Sequence, residues 1–420
     1  MDHIISGRSR LTVPKIIKYI IFGFMLLASA NLLNKYYYCV FISFFFFLLV
    51  IDRRIVFNLT FLILLALSVS ILLFNPLSLT KFTYLLKTFV YPMCYLMGIS
   101  LFTDKSDSDI DLLQAEKNVS AIIYVLAAGT MVHYLLNMYV NRNSSSRFVI
   151  DFWTGSAMSA TGQATLAALM VGVIAAFLFS DVGRTKKIIA VFSLVLVAIY
   201  NLTLAGRTLF ALLAVLIVFA FLHKSFITKK KVVKTLCIIV LISLVLLFFY
   251  NSDIFGIKTY FENSNFYSRF NKDNSGQDIT EDSRIQLKLA YLKHFWDYPF
   301  GGFNLRVLTG NYAHDLYLDT YDESGIFALL AIIIYIILSL VRLVKCLLSK
   351  KISFQTKQLI ACVYLAINII FFIEPIIAGM PWMLSNYCFI DGAVTYLLNA
   401  EKKSKLEAKL SKQSEPAEVL

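Results

Sequence analysis

The sequence predicts an all-α polytopic membrane protein with about twelve transmembrane helices and one large outer loop. Three observations carry that prediction. The chain is 59% hydrophobic and 15% charged, with a mean hydropathy of +0.73 and 36 Phe, a composition suited to lipid rather than to a water-soluble core. Apolar runs near the ~17–25 residues needed to cross a bilayer recur along its whole length. The basic residues gather in alternate connecting segments, as the positive-inside rule requires.

The apolar runs fall at 15–34, 36–51, 55–74, 81–102, 119–140, 163–180, 188–205, 208–222, 232–250, 325–341, 358–378 and 382–399. With the N-terminus cytoplasmic, the inner segments collect Arg8, Arg10, Lys15 and Lys18, then Arg53 and Arg54, then Lys105 and Lys117. They also take Arg184, Lys186 and Lys187, the cluster from Lys224 to Lys234, the group from Arg342 to Lys357, and the lysines of the tail. These are most of the 39 basic residues, so both termini are expected in the cytoplasm. The net charge of +13 is then a topology signal and an attraction to anionic lipid headgroups, not a sign of nucleic acid.

The first run needs its own argument. "RSRLTVPKIIKYIIFGFMLLASA" has the layout of a cleavable signal, with an A-x-A-like end at Ala28–Ala30. A second apolar run begins almost at once, and removing the first would invert the remaining charges, so an uncleaved helix is expected. No internal repeat and no linker composition interrupts the chain. Residues 1–400 read as one integral-membrane domain, with 251–324 as a large extracytoplasmic loop and 401–420 as a cytoplasmic charged tail. The six Cys (39, 94, 237, 346, 362 and 388) lie in apolar runs without C-x-x-C spacing and are expected to be buried thiols.

Polar chemistry concentrates on the outer side. One outer segment is 141–162, "NRNSSSRFVIDFWTGSAMSATG"; the other, 251–324, is far longer, and loops of such length are usually functional or disordered. Within it, "TEDSRIQLKLAYLKHFWDYP" offers capping residues at Thr280 and Asp282. Ile285, Leu289, Leu292 and Trp296 then recur at helical spacing until Pro299 and Gly301-Gly302 break the helix. Such a helix is expected to lie on the membrane surface with its apolar face down, presenting Arg284, Lys288 and Tyr291 on the other. Arginines are disfavoured outside, yet Arg147, Arg207, Arg269, Arg284 and Arg306 all fall there. A guanidinium keeps its charge and donates in pairs to phosphoryl oxygens, so several around one site would suit a diphosphate. Arg207, in "NLTLAGRTLFALL", admits a second reading as an interfacial side chain that snorkels.

Three stretches also resemble a family. "DSRIQLKLAYLKHFWDYPFGGFN" followed by "AHDLYLDTYDESGIFALL" resembles the large outer loop and next helix of the O-antigen ligase and polysaccharide polymerase superfamily. That pattern is S-R, a helix ending near P-x-x-G, a His with a polar neighbour, then E-x-G opening a membrane helix. "AGRTLFALL" resembles the upstream S/G-R-T element, and "FIEPIIAGMPW" (372–382) resembles a segment of the bacterial polymerases. Asp315 departs from the pattern, standing where Asn or Ser is usual. The resemblance implies a GT-C-like glycosyltransferase architecture in the bacterial cytoplasmic membrane. It implies an undecaprenyl-diphosphate-linked glycan as donor and another as acceptor, joined on the outer leaflet with inversion and without a cofactor. Membrane lipids, a chain-length regulator and a flippase are the partners it implies. The expected product is a capsule, exopolysaccharide or O-antigen chain; a ligase acting on another acceptor is the alternative. A lipid-linked oligosaccharide flippase is the alternative from another class. It would spread charge along mid-membrane helices, whereas the spans here are nearly charge-free apart from Lys87.

The residues then take roles. His314, Arg207 and Arg284 are the expected catalytic set: the arginines meet growing negative charge on the leaving diphosphate, and an imidazole titrating near pH ~6.5 accepts the proton of the incoming hydroxyl. Arg147, Arg269, Arg306, Tyr317, Glu323 and Glu374 are expected to bind substrate. Glu323 is read as a helix-start carboxylate or as an orienter of His314 or Arg284, and Glu374 as the partner of a site arginine. His3, His223 and His294 lie away from the motif, and His133 is expected to hydrogen-bond a neighbour inside the fifth span. Asp315, Asp319 and Asp322 share a helix stripe that would also suit Mg²⁺ or Mn²⁺. The preferred reading is a solvated face favoured by the helix dipole, with no metal.

Overall fold

Inside lipid a backbone amide has no water to bond, so each apolar run must satisfy its own hydrogen bonds and does so as helix. The computed structural model describes residues 13–51, 55–77, 82–103, 111–143, 148–204, 206–227, 251–253, 257–262, 267 and 283–414. In chain order, α1 (Val13–Ser29), α2 (Tyr36–Val50), α3 (Leu59–Phe74), α4 (Phe82–Ser100) and α5 (Leu112–Val140) come first. A hairpin of β1 (Phe148–Ile150) and β2 (Ala157–Ser159) leads into α6 (Ala160–Phe179), α7 (Arg184–Thr203) and α8 (Arg207–Ile227). The large loop contributes α9 (Ile257–Glu262), α10 (Ser283–Lys293) and α11 (Asn304–Thr309). The long helices α12 (Leu316–Leu348), α13 (Phe354–Phe371) and α15 (Pro381–Ser414) follow, with the short α14 (Ile376–Gly379) before the last.

Every expected span except 232–250, which lies outside the described residues, coincides with a helix. Among the described residues, six helices are long and apolar enough to cross a membrane: Leu112–Val140, Ala160–Phe179, Arg184–Thr203, Arg207–Lys224, Leu316–Leu348 and Phe354–Phe371. Tyr36–Val50 and Leu59–Phe74 are shorter apolar helices. The chain is thus a helical, polytopic membrane protein. Its outward faces are oily, as lipid contact requires: Phe45, Leu49, Leu62, Leu73, Ile188 and Phe192 are exposed.

Where apolar burial cannot drive helices together, close packing of small residues does. Gly98 of α4 and Gly392 of α15 face each other so tightly that a methyl group on either would collide with the opposite backbone. The buried α6 packs against α5, α7, α8 and α13. Two ends of the bundle can be told apart by their polar contacts. At one, Trp153 Nε1 donates to the Ala30 carbonyl (2.9 Å), and Asp319 accepts from the Ala378 amide (2.9 Å). At the other, Glu116 accepts from the Ser353 amide (2.9 Å) and the Thr356 hydroxyl (2.7 Å), while Gln355 reaches the Asp181 carbonyl (2.7 Å).

Two expectations change, and the segment 141–162 holds the β1–β2 hairpin, with Phe148 opposite Ser159 and Ile150 opposite Ala157. Asn141, at the end of α5, exchanges bonds with the Ile150 backbone in both directions and so pins the first strand. The spans are not charge-free apart from Lys87, because Asp391 lies buried in α15. Arg342, expected in an inner segment, instead reaches from α12 to bind that carboxylate. Finally, α12 begins well before residue 325, at Leu316, and is broken at Gly325.

The break has a specific cause and repair. Gly325 sits at φ +74°, so the helical hydrogen-bond ladder is interrupted there. The loop Pro299–Phe303 supplies what the ladder loses. The Ile326 amide donates to the Pro299 carbonyl (2.9 Å), the Gly302 amide to the Glu323 carbonyl (3.3 Å) and the Phe303 amide to the Asp322 carbonyl (2.8 Å). Gly301, at φ +75°, lies directly against Gly325, and a side chain there would strike the Gly325 backbone, while one on Gly325 would strike the backbone of Pro299 and Phe300. The P-x-x-G and E-x-G elements are therefore two halves of one backbone joint.

Candidate functional site

The helix α10 is seated beside that joint by its polar face. Tyr291 is buried and donates to the Asn311 carbonyl (2.9 Å). Lys288 donates to the Phe372 carbonyl (3.1 Å) and pairs with Asp315 (3.0 Å). Arg284 donates to the Thr161 hydroxyl (3.3 Å), with Glu374 4.0 Å away. Positions 284, 288 and 291 fall on one stripe, and all three side chains turn into the protein. Leu289, Leu292 and Trp296 are exposed, the arrangement suited to a helix lying against lipid headgroups. The helix ends at Lys293, a turn earlier than the apolar spacing suggested, and a 3₁₀ turn at Phe295–Asp297 carries the chain to Pro299. Thr280 and Asp282 lie outside the described residues.

Arg284 lines one of two concavities, and Glu374, 4.0 Å from it, lines the other. The first is an open groove of about 640 Å³ formed by α10 and the chain from Leu308 to His314. Arg284, His294 and His314 line it, with Gln286, Thr309 and Asn311. His314 immediately precedes Asp315, whose carboxylate caps α12 by accepting from the Leu318 amide (2.8 Å). His314 is half-buried, and its neighbour's cap fixes where its backbone lies. His294 is paired with Asp297 (2.8 Å).

The second is a cavity of about 400 Å³ between the α1–α2 turn, α4, the hairpin and the chain from Glu374 to Trp382. Lys87, Tyr84, Asp151 and Glu374 supply its titratable groups, while Tyr36 and Trp382 supply aromatic wall. Burial pushes Glu374 up to about 7, against the pull of nearby Arg284. Burial also acts to raise Asp151, but the His133 hydrogen bond and charge, together with Thr154, hold it down at about 2. His133 Nε2 lies 2.6 Å from Asp151 Oδ2, and both side chains are buried. His133 thus bonds a neighbour as expected, and that neighbour is a wall of the cavity. Asp151 in turn organises the hairpin turn by accepting from the Trp153 and Thr154 amides (3.1 and 2.9 Å).

The acidic stripe on α12 is not a solvated face. Asp315, Asp319 and Asp322 are all buried. Around them the loop folds back through Arg306, whose guanidinium approaches Asp322 (3.2 Å), Asp319 (3.5 Å) and Glu323 (4.0 Å). The same guanidinium lies over the rings of Tyr312 (4.0 Å) and Phe303 (4.7 Å). Arg306 was expected to bind substrate; here its charge is taken up by carboxylates because the Gly301–Gly325 joint folds α11 onto α12. Glu323 orients neither His314 nor Arg284. It accepts from Asn75 (3.2 Å) and Tyr84 (3.0 Å), and so holds a wall of the cavity. Among the described residues, no group of three or more His, Cys, Asp or Glu is arranged to hold a metal ion.

The structure therefore brings Arg284, His314 and Glu374 into one neighbourhood. Arg207 opens α8 with an exposed side chain and lines neither concavity. Tyr317 packs its ring against Phe372 (centroids 5.1 Å apart). Arg147 and Arg269 lie outside the described residues. Sequence reasoning missed Tyr84, Asp151 and Trp382. Only Asp151 left a signal, as the one acid in an otherwise neutral and basic outer segment. Five cysteines are buried free thiols, and Cys237 lies outside the described residues. No known family model matches the chain, and no characterised protein matches it in sequence.

Proposed function

We propose that the chain is a membrane glycosyltransferase that joins undecaprenyl-diphosphate-linked oligosaccharide repeat units on the outer face of the bacterial cytoplasmic membrane. One observation carries the reading: Arg284 and His314 line the same groove, with Glu374 4.0 Å from the arginine. The reaction needs a cation beside the leaving diphosphate and a proton acceptor beside the incoming hydroxyl. His314 takes the hydroxyl proton, the hydroxyl oxygen bonds to the anomeric carbon, and the carbon–oxygen bond to the diphosphate breaks with its electron pair. Arg284 faces the negative charge that departs, and a single displacement inverts the anomeric centre. The exposed apolar face of α10 supports the same picture, since a helix with such a face suits headgroup depth, where a carrier diphosphate resides.

Deletion of the protein, followed by gel analysis of surface glycan, tests the reading. Single repeats still attached to the cell, with long chains lost, support a polymerase. Polymer left on carrier lipid marks a ligase, and absence of any outward glycan marks a flippase. The buried Arg342–Asp391 pair does not favour the flippase, because Thr60 and Tyr364 close it on both partners. In the same assay His314→Ala and Arg284→Ala are each expected to lose long chains, by roughly 10²-fold or more in rate. Full-length glycan from the His314 variant would remove its role as base.

A further inference from the structure

Buried polar atoms are almost always hydrogen-bonded, so the exceptions mark places that expect something. Four of them belong to residues of the 400 Å³ cavity: Asn31 Oδ1, the Tyr36 hydroxyl, Trp382 Nε1 and Glu374 Oε1. Each residue is more than nine-tenths buried, and none of the four atoms has a hydrogen-bond partner within the protein. Leaving buried donors and acceptors unpaired costs stability, and four around one space is a concentrated cost. The set is chemically mixed. An indole N–H donates, a carboxylate and an amide oxygen accept, and a phenol does either.

We infer that this cavity is a saccharide-binding subsite, in which the four groups, closed over as they stand, turn into the cavity to bond the hydroxyls of a sugar ring from one of the two glycan substrates. A polyhydroxylated ring carries donors and acceptors in every direction, which matches a mixed set better than an anion or an apolar group would. The rings of Tyr36, Tyr91 and Trp382 supply flat apolar wall for the carbon–hydrogen faces of a sugar, and Thr154, Ser156 and Ser159 add hydroxyls on the hairpin side. The volume falls within the ~300–1,000 Å³ common for small-molecule sites. Glu374 lines the cavity and approaches Arg284, which lines the groove, so a sugar held here lies next to the reacting groups. This inference rests on the glycosyl-transfer reading and names a ligand class and residues for the space beside its groove.

Direct binding tests it without turnover. The full-length protein in lipid nanodiscs is titrated, with saturation-transfer NMR as readout. The probe is the oligosaccharide freed by mild acid from carrier lipid of the cells that carry the protein. Tyr36→Phe, Trp382→Phe and Glu374→Gln are each expected to weaken binding roughly three- to tenfold, the size of one lost hydrogen bond. Without oligosaccharide, the two Phe variants should melt at the same temperature as the parent or higher, because each removes an unpaired buried group. Absence of binding, unchanged affinity in all three variants, or displacement of the oligosaccharide by inorganic diphosphate overturns the inference. So does a clear drop in melting temperature for both Phe variants, which would mean those groups already serve the fold. A protein that binds the oligosaccharide but leaves glycan length unchanged on deletion defeats the transferase reading instead.

Discussion

Arg306 and Arg342 both engage α12, one through the loop that folds onto its first turns and the other from its far half, and they are balanced in opposite ways. Arg342 meets one carboxylate, Asp391, through two bonds (Nε to Oδ1 2.8 Å, Nη2 to Oδ2 2.5 Å). Its third nitrogen, Nη1, donates to the Thr60 hydroxyl (2.8 Å), and Tyr364 donates to the same aspartate (2.9 Å). Charge cancels one for one, with little left unmet. Arg306 is shared among three buried carboxyl groups at the end of the bundle, one cation to three acids. A one-to-one pair is tolerated in the interior of a membrane protein, whereas an uneven cluster belongs near its edge. The first arrangement is a fastener between α12 and α15. The second holds a loop in position beside the candidate site.

The largest effect is expected from unbalancing the first pair. Asp391→Ala leaves a buried guanidinium alone and should cost about 3–5 kcal/mol, read as a fall in the detergent melting temperature. Replacing both partners, Arg342→Met with Asp391→Leu, should recover most of that loss; failure to recover would mean the pair does more than fasten. Next comes Gly325→Ala, which forces a side chain into positive φ and against the Pro299–Phe300 backbone. A cost of roughly 1–3 kcal/mol is expected, with faster hydrogen exchange at Ile326 and Phe303 as its local signature. Glu323→Gln should be milder, under about 1 kcal/mol, since Arg306 retains two carboxylates. A loss as large as that of Asp391→Ala would abolish the contrast between the two arginines.

The smallest effect is one of pH and probes a carboxylate paired with a histidine instead. Asp151 is held at about 2 against an ordinary value of 3.8. Its contribution to stability is therefore present above about 3.8 and lost as pH falls through about 2. Asp151→Asn should flatten that part of the melting profile; an unchanged acid slope would show that the His133–Asp151 bond contributes nothing measurable.

What the sequence disclosed follows from the range of the forces involved. Hydropathy acts along the chain, so helices such as 36–51 and 81–102 were legible almost to the residue. The stripe of Arg284, Lys288 and Tyr291 was legible too, because helical spacing is local. The acids on α12 were misread for the same reason. Their stripe looks like a solvated face until Arg306, brought back by the joint at Gly301 and Gly325, lies over it. Glu323 faces Asn75 and Tyr84, which are more than two hundred residues away in sequence, and no local pattern announces such a neighbour. Asp391 was overlooked because one acid hardly lowers the hydropathy of its run. The cavity was invisible altogether, since its walls come from five separated stretches of chain.

The joint has a consequence for the loop as an object. Because Pro299–Phe303 is bonded to Asp322–Ile326, the chain between them is a closed ring with a fixed neck, and His314 rides on that ring. The neck thus sets the register between His314 and α12 from within the ring itself, through backbone bonds that no side-chain change in the loop removes.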